Sequence, residues 1–357
     1  MRSRPSQSAS RASLQCALAV LLVIASAAAS FGCEVCLDAA RQLVTIGDQL
    51  DMADRVVLAT PIAAGSDFRI TDVVKGNDAL GDIIADSVTG IDVAARVGVD
   101  PWLLVGDGNT ARWISLGSIG AWHGDWLRQL VAFDRSDAGW RRRIAFVLPY
   151  LENPDPLVAE IAVGEVARAP YATLDVAKSR IDPKVIEGWL DNPKLAMRSV
   201  PFALLLGFAG GPTDAGRLEQ RIDNARESHS STNLAALITA DLQLRGPSRV
   251  DWVEEMYLAD RERLMPEIEA ALLALGVHGD TDGVVSRERV IQAYRVFMRK
   301  RPPMAGFVAH ELAEWGYWDA VTEYAALLQS DAIKDPASEF AVGRYLQRAA
   351  DAQAAKQ

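Results

Sequence analysis

Cysteine, histidine, positive charge and long apolar runs are all scarce in this chain of 357 residues, and each shortage removes a class of function. The three cysteines and four histidines offer no second Cys pair and no close His pair to complete a structural zinc site. Acids outnumber bases by 47 to 37, giving a net charge of -10 at pH 7. Such a chain has no electrostatic basis for holding phosphate backbones or anionic lipid surfaces, so nucleic acid is not an expected partner. Beyond the N-terminal segment no apolar run is long enough to span a bilayer. The Gly-rich stretches "GFAGGPTDAG" and "GDGN" match neither phosphate-binding fingerprint, and no serine-nucleophile motif is present. Nothing in the sequence requires a cofactor.

What the chain does have begins with a targeting segment. Arg2, Arg4 and Arg11 form a basic start without acids, residues 16–24 ("CALAVLLVI") an apolar stretch, and "ASAAAS" the small residues that signal peptidase accepts. Residues 1–29 are expected to be a signal peptide, with the cut between 27 and 32, which predicts a secreted or periplasmic protein. A cut directly before Cys33 would instead make that residue a lipid anchor. Removing residues 1–32 takes three arginines and no acid, moving the net charge from -10 to -13.

Cys16 leaves with that segment, so Cys33 and Cys36 ("CEVC") become the only thiols of the mature chain. Covalent haem is excluded because Leu37, not His, follows the second cysteine. A redox pair usually opens a helix inside a βαβ unit, whereas Glu34 and Asp38 surround these thiols and no such unit precedes them. In an oxidising compartment close thiols pair, so a structural disulfide is the favoured reading and a redox pair the alternative.

The pattern of the mature chain changes near residue 120. Between 55 and 117, "RVVLATPIAA", "DFRITDVVKG", "GDIIADSVTGIDVAA", "PWLLVGD" and "TARWISLG" read as five short antiparallel strands, a small barrel preceded by one short helix. In the second, Phe68, Ile70 and either Val73 or Val74 compete for the inner face. From 121 onward Ala and Leu recur at three- and four-residue spacing between Pro, Gly, Asn and Asp stops, which predicts helices throughout. Apolar helices run into Gly207, Gly246, Gly276 and Gly316, each expected to close its helix in the left-handed conformation. The intervals of 39, 30 and 40 residues point to an irregular helical-hairpin repeat. The fold class is therefore segregated α+β: a barrel over 33–120, a helical domain over 121–335, and a C-terminal helix with a frayed tail over 336–357.

Two stretches carry a resemblance. "PDPLVAEIAVGEVARA" (154–169) and "NPKLAMRSVPFALLLGFAG" (192–210), with Pro156, Pro193 and Arg198 in place, resemble the hairpin helices of HEAT repeats. "ADRVVLAT" followed by "FRITDVVKG" is similar to the first hairpin of netrin-like modules, an OB-type barrel class that includes tissue inhibitors of metalloproteinases. The combination resembles secreted bacterial proteins with a short cysteine motif, a netrin-like barrel and a HEAT-type domain, over most of residues 33–330. The inhibitors begin Cys-x-Cys and use the first cysteine to chelate the protease zinc; this chain has Cys-x-x-Cys and lacks their further cysteines.

Three other stretches imitate sites. "HELAE" (310–314) resembles the start of the zinc-protease helix motif, but Glu314 stands where the second His belongs, so His310 and Glu314 are weak metal candidates and read first as solvated helix residues. "HGDTDGVVSRER" (278–289) spaces Asp280, Asp282 and Gly283 like a calcium loop, yet His278 and Arg289 occupy the first and last ligand positions. It reads as a helix–helix loop. Trp122, Trp126 and Trp140 gather at the domain junction, where burial competes with partner contact. The favoured function is non-catalytic protein–protein interaction through the helical domain, with those tryptophans as contact candidates. The alternative is an activity of Cys33 and Cys36, either thiol redox or inhibitor-like chelation.

Overall fold

A computed structural model describes residues 44–62, 67–85, 88–90, 100–108 and 110–355. Near its start Thr45 and Asp48 form a reciprocal cap: Thr45 Oγ1 accepts from the Asp48 N–H, and Asp48 Oδ2 from the Thr45 N–H, each at 3.1 Å. The cap opens helix α1, Ile46–Met52.

Six strands are described next: β1 (Arg55–Pro61), β2 (Phe68–Lys75), β3 (Ile83–Ile84), β4 (Val88–Thr89), β5 (Trp102–Gly106) and β6 (Trp113–Ser118). They form one sheet in the order β3-β2-β1-β5-β6-β4. Laid flat, that order would hold β3 and β4 about 24 Å apart. Only four Cα steps join Ile84 to Val88, about 15 Å at full stretch. The sheet must therefore curl until its edges approach, which makes a nearly closed barrel. The segment read as a third strand is thus two: β3 pairs antiparallel with β2, and β4 pairs parallel with β6. One straight strand could not bond both edges, so the expectation of five antiparallel strands is corrected to six with one parallel pair.

Period-two alternation gives β1 and β5 two buried faces. Val57, Ala59, Trp102 and Leu104 point into the barrel with Phe68, Ile70 and Trp113, while Val56, Leu58, Leu103 and Val105 join a core shared with the helices. That is why "WLLVG" is apolar without interruption. Irregular pairing between β1 and β2 divides the two competing valines: Val73 packs on the barrel core and Val74 on the helical one. Gly117 in β6 holds φ +133°, and a Cβ there would lie 3.3 Å from Leu157, so β6 passes close beneath the helices.

After a 3-10 turn at Ala121–His123 come α2 (Gly124–Ala132), α3 (Asp137–Val147), α4 (Pro156–Arg168) and α5 (Pro183–Leu190). Next are α6 (Ser199–Ala209), α7 (Pro212–Glu227), α8 (Leu234–Arg245), α9 (Arg249–Val253) and α10 (Met265–Thr281). The last are α11 (Arg287–Lys300), α12 (Ala309–Glu314), α13 (Val321–Gln329) and α14 (Pro336–Ala354). Proline opens α4, α5 and α14, where its missing N–H is not needed, and Asp155, Asp182 and Asp335 accept the N–H groups that follow. α6 packs on α5 and α8, and α8 packs on α7 and α10. α6, α8 and α10 are buried along most of their length, and α7 turns only Ala215, Leu218, Ile222 and Ala225 inward.

Two of the four expected closing glycines do that work: Gly246 and Gly316 take φ +78° and +66°. Gly207 and Gly276 lie inside α6 and α10 instead. A Cβ on Gly207 would sit 2.9 Å from Ala240 Cα, so this glycine lets α6 and α8 touch backbone to backbone. The spacing of about forty residues therefore mixes caps with contact points.

Candidate functional site

Cys33 and Cys36 lie outside the described residues. The other sequence candidates scatter. His310 is exposed on α12, a helix of six residues, and Glu314 pairs with Arg348. The 278–289 stretch is not a loop throughout, because α10 continues to Thr281 and only then turns through Asp282 at φ +48°. Asp280 accepts the Trp315 indole N–H at 2.7 Å, and Asp282 accepts the Arg287 N–H at 2.7 Å. Both carboxylates are thus engaged with protein donors rather than turned toward a common cation. Among the described residues no three His, Asp or Glu side chains converge as a metal set. His278 is fully buried; its Nε2–H donates to the Thr239 carbonyl at 3.0 Å, and burial pushes its pKa down to about 4.

Of the three tryptophans, Trp126 and Trp140 are buried and cannot meet a partner directly, which corrects two contact candidates. Trp140 roofs a charged cluster that sequence reading missed. Glu165, fully buried on α4, accepts from Arg143 Nε and Nη2 at 2.6 and 3.0 Å and from Arg168 Nε and Nη2 at 3.0 and 2.8 Å. Asp51 on α1 bonds both arginines, at 3.1 and 2.7 Å, and Asp48 reaches Arg168 at 3.1 Å. The two guanidiniums lie 5.5 and 5.0 Å from the Trp140 ring centre. Burial alone would raise the Asp51 carboxyl, but Arg168 and Arg143 outweigh it and hold it below the usual carboxylate range. Gly47 touches the cluster, since a Cβ there would lie 2.2 Å from Glu165 Oε1. The cluster fastens α1, the first described helix after the cysteine segment, to α3 and α4. Its local signature is Glu165 and Arg168, three apart and both buried in a helix whose other charge, Glu160, faces solvent.

Trp122 is the exception among the tryptophans, 75 % exposed on the 3-10 turn between barrel and helices. Behind it runs a chain of rings: His123 at 5.4 Å, Trp126 at 6.2 Å from His123, then Tyr150 and Phe146 at 5.2 and 5.9 Å from Trp126. Phe133 adds an edge contact to Phe146 at 5.5 Å. Phe133, Phe146 and Tyr150 are half-buried, so aromatic surface shows at Trp122 and again at these three rings, with His123 and Trp126 buried between them. Burial lowers the His123 pKa, against the opposing pull of Asp155.

A second surface is a cleft of about 410 Å³ between the 3-10 turn Pro193–Arg198 and the α7–α8 connection. Leu190, Ala225 and Leu237 floor it, and Asn192, Ser199, Arg221, Asn224, Thr232 and Asn233 supply polar groups. Arg221 is held by Asp191 at 2.6 Å and by Glu187 at 3.3 Å. Asn233, at φ +61°, donates through Nδ2 to Ser199 Oγ at 2.6 Å.

Compared with known proteins, the chain matches no family model, no curated protein and no solved structure. What stands is the architecture itself: a six-stranded near-barrel followed by a mostly helical region, with no described helix long and apolar enough to cross a membrane.

Proposed function

We propose that this is a non-catalytic protein of the periplasm or the secreted fraction that binds a protein partner, built from a netrin-like barrel and HEAT-like helices. The observation that carries the reading is Trp122, exposed at the end of an aromatic strip on the seam between barrel and helices. A large aromatic held rigidly against its neighbours loses little freedom on binding, and such residues concentrate binding energy in interfaces. Gly120 supports that contact: a Cβ there would lie 2.7 Å from the Trp122 ring, so the missing side chain lets the indole pack close against the chain. The compartment follows from the basic-then-apolar N-terminal segment, and the acidity of the chain favours a partner with basic patches around an apolar centre.

The test is a photoreactive amino acid at position 122, with the same residue at the exposed Arg217 position as control, irradiated in cells that secrete the protein. A discrete heavier adduct from position 122 alone is the expected result. No adduct, or the same adducts from both positions, overturns the reading. Trp122→Ala should abolish binding of the captured partner while changing folding stability by no more than about 0.5 kcal/mol, as for other surface substitutions.

A further inference from the structure

The cleft between the Pro193–Arg198 turn and the α7–α8 connection is a site in its own right, apart from the Trp122 surface. Its volume of about 410 Å³ falls in the range of pockets that enclose ligands. Its chemistry is mixed and neutral. Arg221 lines the wall, but Asp191 at 2.6 Å and Glu187 at 3.3 Å already meet its charge, so neither an anion nor a cation finds an uncompensated partner. Polar capacity nevertheless remains unspent. Asn192 gives only Oδ1 to the protein, accepting from the Lys194 N–H at 3.0 Å, and Asn233 gives only Nδ2. Asn224 and Thr232 spend no side-chain hydrogen bond on the described residues, and Arg221 Nε has no partner among them.

We infer that this cleft takes an extended, uncharged peptide segment of a partner protein and reads its main chain. Each peptide unit carries one donor and one acceptor in a plane, and an asparagine amide carries the same pair, so a row of asparagines can bond a backbone without regard to its side chains. A saccharide would find the same hydrogen-bonding groups, but no aromatic ring lines the cleft for a sugar face to stack upon. Beside the lining Ala196, Met197 stands 97 % exposed. A flexible thioether in that position is an adaptable apolar contact for whatever side chain the segment carries.

The test uses the nitrogen-15-labelled chain, titrated with N-acetyl-Ala-Leu-Ala-amide and, in parallel, with methyl glucoside. The side-chain NH₂ resonances of Asn192, Asn224 and Asn233 should move with the blocked peptide and stay still with the sugar. The pair of substitutions Asn192→Leu and Asn224→Leu should weaken peptide binding by about tenfold or more, the loss of one or two hydrogen bonds, while Asn224→Gln retains it. A cooperative melting transition, lowered by no more than the few degrees that the lost Asn192–Lys194 cap accounts for, confirms that the leucine variant folds. No movement with the peptide, movement with the glucoside alone, or equal peptide binding by the leucine variant would each overturn the inference. Because it reads the cleft and not position 122, this experiment can fail while the partner-binding reading stands, and the reverse.

Discussion

Two seams hold the helices in place, and they work by opposite physics. Where α1 meets α3 and α4, contact is made by charge: Glu165, Asp51 and Asp48 against Arg143 and Arg168. Where α6 meets α8 and α8 meets α10, contact is made by apolar side chains and by a glycine that brings two backbones together. An apolar seam tolerates many partners of similar volume. A buried ionic seam contributes little net stability when intact but is severely penalised when one member is lost. The first kind builds the body of the helical region; the second fixes one helix in one place, directly after the cysteine segment.

The largest effect should therefore come from the ionic seam. Glu165→Ala leaves Arg143 and Arg168, both more than nine-tenths buried, without their principal acceptor. Breaking a buried pair in this way costs about 4 kcal/mol. Guanidinium-induced unfolding of the variant should show a loss of unfolding free energy of that size; a loss below about 1 kcal/mol would mean that the cluster is not closed to water.

Acid separates the two seams in a different way. His278, between α8 and α10, has a pKa near 4 in the fold against 6.5 ordinarily. Between those values the unfolded chain binds a proton that the folded chain refuses, so stability falls as pH drops from 6.5 to 4 and levels off below 4. The whole contribution is about 3 kcal/mol. Asp51 behaves otherwise: its lowered pKa gives stability that is present above the ordinary carboxylate value and lost only as pH falls through the lower folded value. Hydrogen exchange at about pH 5 should thus find α8 and α10 loosened while α1 stays protected. His278→Gln, which can still donate to the Thr239 carbonyl, should flatten the slope between 6.5 and 4, and an unchanged slope would assign it to other groups.

These contrasts also explain what the letters of the sequence could and could not reveal. Strand positions were legible because Val and Ile between Gly and Asp breaks have few other uses, and helix starts because Pro, Asp and Asn mark them directly. The division of one strand segment into β3 and β4 was not legible, since it follows from closing the sheet and not from local preference. The ionic seam was hidden because its members lie up to 120 residues apart. Glu165 and Arg168 stand three apart on the mostly apolar α4, but beside Glu160 nothing local marks them as the inward pair. Trp122 and Trp126 differ by four positions and look alike in sequence. One lies on the 3-10 turn before α2, the other on the inward face of the helix beside Leu127 and Leu130.

The glycines give the finest test of the apolar seam, because the same substitution should change sign with position. Gly216, half-exposed in α7, has nothing within 4 Å of the point where a Cβ would stand. Gly216→Ala should stabilise the chain by about 0.8 kcal/mol through helix propensity alone. Gly207→Ala gains the same propensity, yet its Cβ would lie 2.9 Å from Ala240 Cα and 3.1 Å from Ala240 Cβ. Backbone cannot turn aside as a side-chain tip can, so α6 and α8 must part, at a cost of about 2 kcal/mol. The net expectation is a loss of about 1 kcal/mol, read as a lower unfolding midpoint with an unchanged denaturant slope. Stabilisation at both positions would mean that α6 and α8 do not touch backbone to backbone at Gly207.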